Sequence, residues 1–223
     1  MHATTRKLVA RAVCVLAPIV YALPAYATER SIAWPYVANG STRTGTPPGW
    51  SRAGNAPEHF QYYTDTAQGL AIGKRMASIA SDFRHPQPPG KYFATVMQSI
   101  SAQAYRGKRV RFSAQLRTQD VGGGALWMRI VNADGKVLSF DNMESRQVTG
   151  TRDWEQQSVV LDVPAESAEI DFGFLLDGKG EVDAAEFVLV EVDRNVNLTA
   201  NTVPGPEKSV LPNAPSNLDL SQM

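Results

Sequence analysis

Trp127 and Arg129 stand at alternate positions of the run from Gly124 to Val131. They project from one side if that run is extended, because strand side chains alternate between two faces. An exposed indole can stack on a sugar ring, and a guanidinium donates planar hydrogen bonds to hydroxyls or carboxylates. The alternative reading is that Trp127 lies under a loop and Arg129 pairs with Asp171 or Asp177. Asp141 and Asn142, which end the return strand, can line the same cleft or bond local backbone in a turn. Gln115 and Arg117 share one face of the run "RVRFSAQLRT". They extend the platform only if their strand borders that of Trp127, and otherwise form a solvated row.

Catalysis is harder to build from these residue types. Paired carboxylates hydrolyse glycosides without a cofactor, and Asp141, Glu144, Asp171 and Asp177 are available, but no spacing singles out a pair. A serine triad needs a placed histidine, and His59 and His85 both fall in proline-containing stretches that read as loops. Gly122-Gly123-Gly124 precedes a strand, whereas a phosphate cradle follows one and opens a helix, so these glycines read as a turn. Asn39-Gly40-Ser41 and Asn197-Leu198-Thr199 match the glycan acceptor pattern, a motif short enough to arise by chance. No catalytic residue is assigned.

The elements that must position these side chains are strands. Val110, Phe112, Ala114, Leu116 and Thr118 alternate with polar neighbours, as do Leu126, Met128 and Ile130, and later Ile170, Phe172, Phe174 and Leu176. Asn132-Ala133-Asp134-Gly135 closes a hairpin, and Asp177-Gly178-Lys179-Gly180 leads toward a last strand at Phe187 to Val190. Gln157 to Val163 is a further strand stopped by Pro164, Gly122 to Gly124 excepted from any strand, and Leu70 to Ile79 reads as mostly extended. Ser31 to Gly69 and the stretch around His85 read as loops because proline excludes helix there. Short apolar runs separated by Gly, Pro, Asp and Asn favour an all-β sandwich.

The chain of 223 residues opens with Arg6, Lys7 and Arg11, an apolar run from Ala12 to Leu23, and Ala25-Tyr26-Ala27. That order reads as a secretory signal, residues 1–27. The apolar run is too short for a hydrocarbon core that needs about 20 residues, so no transmembrane span is expected after cleavage. Cys14, the one cysteine, would leave with the signal, which excludes disulfides, a cysteine nucleophile and thiolate metal sites from the remainder. The whole chain is formally neutral, and loss of the basic signal leaves a slight negative charge, so no nucleic-acid partner is expected. Residues 28–195 read as one domain. Residues 196–223, polar and rich in proline, read as a flexible tail.

The strings "YRGKRVRFSAQLRT", "ALWMRIV", "DNMESRQVTGTRDW", "VVLDVP" and "IDFGFLLDGKGEV" together resemble bacterial jelly-roll domains of the galactose-binding-like, carbohydrate-binding-module-like class. The resemblance implies a two-sheet antiparallel jelly-roll sandwich, and relatives of this kind that act as accessory modules beside regulators or peptidases. In that class a strand carboxylate after the Gly-x-Gly turn helps hold structural calcium. Here the stretch is Asp183-Ala184-Ala185-Glu186, and Ala185 removes a ligand, so no cofactor is expected and calcium stays a secondary possibility. The combined expectation is a periplasmic or secreted, non-catalytic domain that binds a carbohydrate or similar polar ligand through Trp127, Arg129, Asp141, Asn142, Gln115 and Arg117. A structural or protein-interaction domain of the cell envelope is the alternative, and a polysaccharide hydrolase or lyase a weaker one.

Overall fold

The alternation that begins at Val110 runs on through the three glycines to Asn132 as one strand of 24 residues, Arg109–Asn132 (β6). It is seen in a computed structural model of the chain that describes residues 43–82, 90–199 and 212–222. The expected signal segment, His85 with its loop, and Asn39-Gly40-Ser41 lie outside the described residues. The other strands are β1 (Arg43–Thr44), β2 (Ser51–Gly54), β3 (Phe60–Thr66), β4 (Arg75–Ser81), β5 (Phe93–Ser101), β7 (Val137–Asp141), β8 (Val148–Asp162), β9 (Ser167–Asp177) and β10 (Glu181–Val192). All pairings are antiparallel.

β6 belongs to two layers at once. Its first half pairs with β10 on one side and β8 on the other. Its second half pairs with β9 and β7. One layer is therefore β1-β3-β4-β10-β6-β8 and the other β2-β5-β9-β6-β7. The chain is an antiparallel β-sandwich, as the alternation requires.

The bend between the halves explains the glycines. A Cβ on Gly122 would lie 2.9 Å from the Asp177 carbonyl oxygen, one on Gly123 would run into the Gln147 amide, and one on Gly124 would lie 2.9 Å from Val182 Cγ2. The expected turn at these residues is thus a corner inside a continuous strand, where only glycine lets the neighbours approach.

Between the layers the expected inward rows meet. Val110, Phe112, Leu116, Leu126, Met128, Ile130, Ile170, Phe172, Phe174 and Leu176 are all fully buried. Phe112 of one layer contacts Phe172 of the other at 4.9 Å between ring centroids, and Phe174 meets Phe187 at 5.8 Å. Each such side chain contributes about 1.5–3 kcal/mol by leaving water.

Several expectations are corrected. β3 falls in the stretch that reads as loop and β5 where no strand is expected, and the Leu70 to Ile79 run is turn up to Lys74 and strand only from Arg75. β10 begins at Glu181 rather than Phe187, and β8 at Val148 rather than Gln157.

The expected tail is not uniform either. Residues 212–222 pack on the sandwich: Leu220 is fully buried, the Trp50 indole N–H donates to the Asn217 carbonyl at 3.4 Å, and the Gln98 amide bonds both the carbonyl (2.7 Å) and the N–H (3.1 Å) of Ser216. One leucine and one buried amide outweigh the polar composition because both find partners on the core edge. Among the described residues no helix is long and apolar enough to cross a membrane.

Candidate functional site

The outward face of the β2-β5-β9-β6-β7 layer is built from rows set by register. Trp127 on β6 lies opposite Gly173 on β9, which lies opposite Met97 on β5. Arg129 lies opposite Asp171 and then Ser99, and on its other side opposite Phe140 of β7. Ala125 aligns with Leu175 and then Thr95. A cavity of about 660 Å³ opens on this face. Its apolar wall comes from Phe93, Met97, Trp127, Phe140 and Leu175, and its polar groups include Asn55, Lys91, Arg129, Asn142, Glu144, Gln147 and Asp177. An apolar wall with a few convergent polar groups is the usual build of a small-ligand site.

The structure brings together three of the six expected site residues: Trp127, Arg129 and Asn142 all line this cavity. Trp127 does not face water as expected, being only 8% exposed. Its indole N–H donates to Thr95 Oγ1 at 2.7 Å, reaching past Gly173, which has no side chain to stand in the way. Thr95 Oγ1 in turn donates to the Phe174 carbonyl at 2.7 Å. The indole is thus a fixed wall, whereas Phe93, 37% exposed, is the aromatic open to solvent.

Arg129 takes the ion-pair alternative without leaving the cavity. Its Nε and Nη2 donate to Asp171 Oδ2 at 2.8 and 2.7 Å, while Asp171 Oδ1 accepts from Ser99 Oγ at 2.5 Å. Nη1 makes no hydrogen bond among the described residues. Asn142 Oδ1 accepts from the Glu144 N–H at 3.2 Å, which shapes the loop and leaves its amide nitrogen available. Lys91, Glu144, Gln147 and Asp177 have no side-chain hydrogen bond or ion pair among the described residues, so this rim carries both donors and acceptors with unspent capacity.

The structure places the other three candidates, Asp141, Gln115 and Arg117, away from this cavity. Asp141 is buried beneath the loop, accepts the Met143 N–H at 2.8 Å and pairs with Arg146, so it takes the turn role and does not line the cavity. Gln115 and Arg117 lie on the first half of β6, which belongs to the other layer, beside β10 and β8. Arg117 donates to Asp183 Oδ2 at 2.9 Å and sits over the Trp154 ring, 4.8 Å from its centroid. Ser78 Oγ completes Asp183 at 2.6 Å, and Tyr63 donates to the neighbouring Glu181. Burial, and then the charge of Asp183, pushes Glu181 up to about 8; burial likewise raises the Tyr63 phenol above its ordinary value.

The carboxylates considered for catalysis are dispersed. Asp171 and Asp141 are buried and committed to arginines, while Glu144 and Asp177 stand at the cavity rim. In the stretch compared with calcium-binding sandwiches, Asp183 is held by Arg117 and Glu186 by Lys74 at 2.9 Å. Among the described residues no group of three or more His, Cys, Asp or Glu gathers as a metal site would require.

Sequence reasoning missed Phe93, Thr95 and Met97. The signal was present: Phe93, Thr95, Met97 and Ser99 alternate with the buried Ala94, Val96, Gln98 and Ile100, the same period used elsewhere in the chain.

No family model matches the chain. It is 40% identical over 161 residues to the HTH-type transcriptional regulator YbfP of Bacillus subtilis (strain 168), which covers 70% of this chain and 52% of that protein. The chain thus spans about half the length of the curated relative it matches. Among solved structures, the enzymatically active domain of tailspike protein 4 from bacteriophage CBA120 superposes with a TM-score of 0.50 at 9% identity, over 65% of this chain and 20% of that one. That likeness is one of fold alone. The CBM22-1 and GH10 modules of the Clostridium thermocellum xylanase 10B superpose with a TM-score of 0.46 at 12% identity, over 72% of this chain and 29% of that one. The curated relative is named as a regulator, and its name assigns no carbohydrate ligand.

Proposed function

We propose that this domain binds a carbohydrate or a similar polar ligand, without chemical turnover, in the cavity between Phe93 and Phe140. The observation that carries the reading is an aromatic and apolar wall ringed by polar groups that have no side-chain partner among the described residues: the donors Arg129 Nη1, Lys91 and the Asn142 amide nitrogen, the acceptors Asp177 and Glu144, and Gln147, which can do both. A polyhydroxylated ligand both donates and accepts at each hydroxyl while offering an apolar ring face, and this lining matches both needs. The composition of residues 1–27 supports export to the periplasm or the exterior as part of the same reading.

The test is a glycan array followed by calorimetry on the full chain, with Phe93→Ala and Asn142→Ala as variants. These touch the cavity without removing a buried partner. At least a tenfold loss of affinity in each supports the reading. Silence on the array, or affinity unchanged in both, refutes it.

The match to about half of a transcriptional regulator favours a second reading, a protein-interaction domain whose outer face docks a partner. It predicts co-purification with a specific protein and indifference to sugars.

A further inference from the structure

β5 is covered unequally on its two sides. β9 pairs with it from Phe93 to Ser101, but β2 reaches only from Ala94 to Met97. Past Met97 the uncovered side meets residues 212–222, and the Ser101 N–H donates to the Pro212 carbonyl at 2.5 Å. Without them this stretch of edge would offer unpaired backbone groups to another chain.

The groove reads peptide backbone. The Gln98 side chain, 3% exposed, donates to the Ser216 carbonyl at 2.7 Å and accepts its N–H at 3.1 Å, the pair of bonds that a neighbouring strand would make. Trp50 Nε1 donates to the next carbonyl, that of Asn217, at 3.4 Å. A Cβ on Gly49 would run into the Ser216 hydroxyl, so glycine is what admits the segment. One side chain adds specificity: Leu220 is fully buried in the cluster that holds Trp50 and Phe187. The Asn217 amide shapes the loop behind it by bonding the N–H and the carbonyl of Gln222 at 2.9 and 2.8 Å. Trp50, Gln98 and Ser101 are not among the residues that line the cavity.

We infer that this groove is a self-association site, in which residues 212–222 of one copy dock in the groove of a second copy by exchange of the segment. The sequence seen to fit the groove is this chain's own, and a second copy carries it. The contacts are made to backbone groups and one leucine, so they are the same whichever copy supplies them. Docking also carries a cost that makes the undocked state accessible. Asn217 and Leu220 stand at φ of +49° and +58°, and leucine has no polar side chain to bond locally and offset that conformation.

The test uses full-length chains and complementary variants. Leu220→Asp expels its own segment by placing a charge in the core and leaves the groove intact, whereas Gln98→Leu keeps the segment and removes the backbone reader. In light scattering the parent is expected to dimerise as its concentration rises, each variant alone to stay monomeric over that range, and an equimolar mixture of the two to form a 1:1 dimer. A fluorescein-labelled peptide of residues 212–222 is expected to bind Leu220→Asp saturably, and at least about tenfold more weakly to the parent, whose own segment competes, and to the double variant. Should Leu220→Asp fail to fold, Leu220→Ala takes its place in both assays. A mixture that stays monomeric overturns the inference, as does a peptide that does not bind the opened groove or binds it equally well without Gln98.

Discussion

The Trp127 indole nitrogen and the Thr95 hydroxyl, on strands separated by β9, are joined by a 2.7 Å hydrogen bond that closes over Gly173. This bond makes Trp127 part of the scaffold of the cavity. It also leaves little of the indole open, since Trp127 is only 8% exposed.

Breaking that bond from either side has unequal costs. Thr95→Val strands the buried indole N–H, at a cost of about 1–3 kcal/mol when unpaired, and removes the hydroxyl that donates to the Phe174 carbonyl. A urea double-mutant cycle of Thr95→Val with Trp127→Phe is expected to show a coupling of about 0.5–3 kcal/mol. Additive effects would mean that the bond contributes nothing to the fold.

Gly173→Ala is expected to destabilise the domain by about 1–3 kcal/mol, as overpacking does. Its Cβ would run into the Val96 carbonyl and lie 2.8 Å from Met97 Cα, and neither backbone group can rotate away. A thermal melt measures the loss, and a melting temperature equal to the parent's would exclude this close approach of β5 to β9.

Stability should fall as pH rises from about 4.5 to 8 and then level off. Glu169 and Glu181 are both raised to about 8 in the folded chain, so across this window they keep protons that the unfolded chain has released. The unfolded state then binds fewer protons, and the slope of unfolding free energy with pH is negative. Glu181→Gln, which cannot titrate, is expected to flatten the curve measured by denaturant titration at several pH values.

Arg117→Ala is expected to cost about 3–5 kcal/mol by leaving Asp183 buried with no cation. Ligand affinity should not change, because Arg117 belongs to the opposite layer from the cavity. Chemical denaturation and calorimetry on the same variant separate the two effects, and a loss of affinity at retained stability would move the binding site.

Leu220→Ala is expected to cost about 2–5 kcal/mol, since the side chain is fully buried against the core. Equilibrium unfolding measures it. A change within 0.5 kcal/mol, the ordinary range for a surface position, would show that residues 212–222 do not dock.

Alternation alone identified most of the sandwich. The rows from Val110 to Leu116, Leu126 to Ile130 and Ile170 to Leu176 could be read as inward-facing because a period of two leaves one buried face whatever the partner strand. The same logic was available for Phe93 to Ile100, where small and polar residues (Ala94, Gln98) diluted the apolar signal. Trp127, Arg129 and Asn142 could be named as cavity candidates from residue type and strand parity, with no knowledge of their neighbours.

What parity cannot supply is the identity of the strand next door. Gln115, Arg117, Trp127 and Arg129 share one strand and one alternation, yet the corner at Gly122 to Gly124 sends the first two to one layer and the last two to the other. Whether Trp127 stood free or lay down depended on Gly173 and Thr95, brought beside it only by long-range register. The amino-acid sequence determined which side chains could point outward; tertiary pairing decided which of them met, because hydrogen bonds and charge pairs fall off within a few ångströms and distant segments reach that range only in the folded chain.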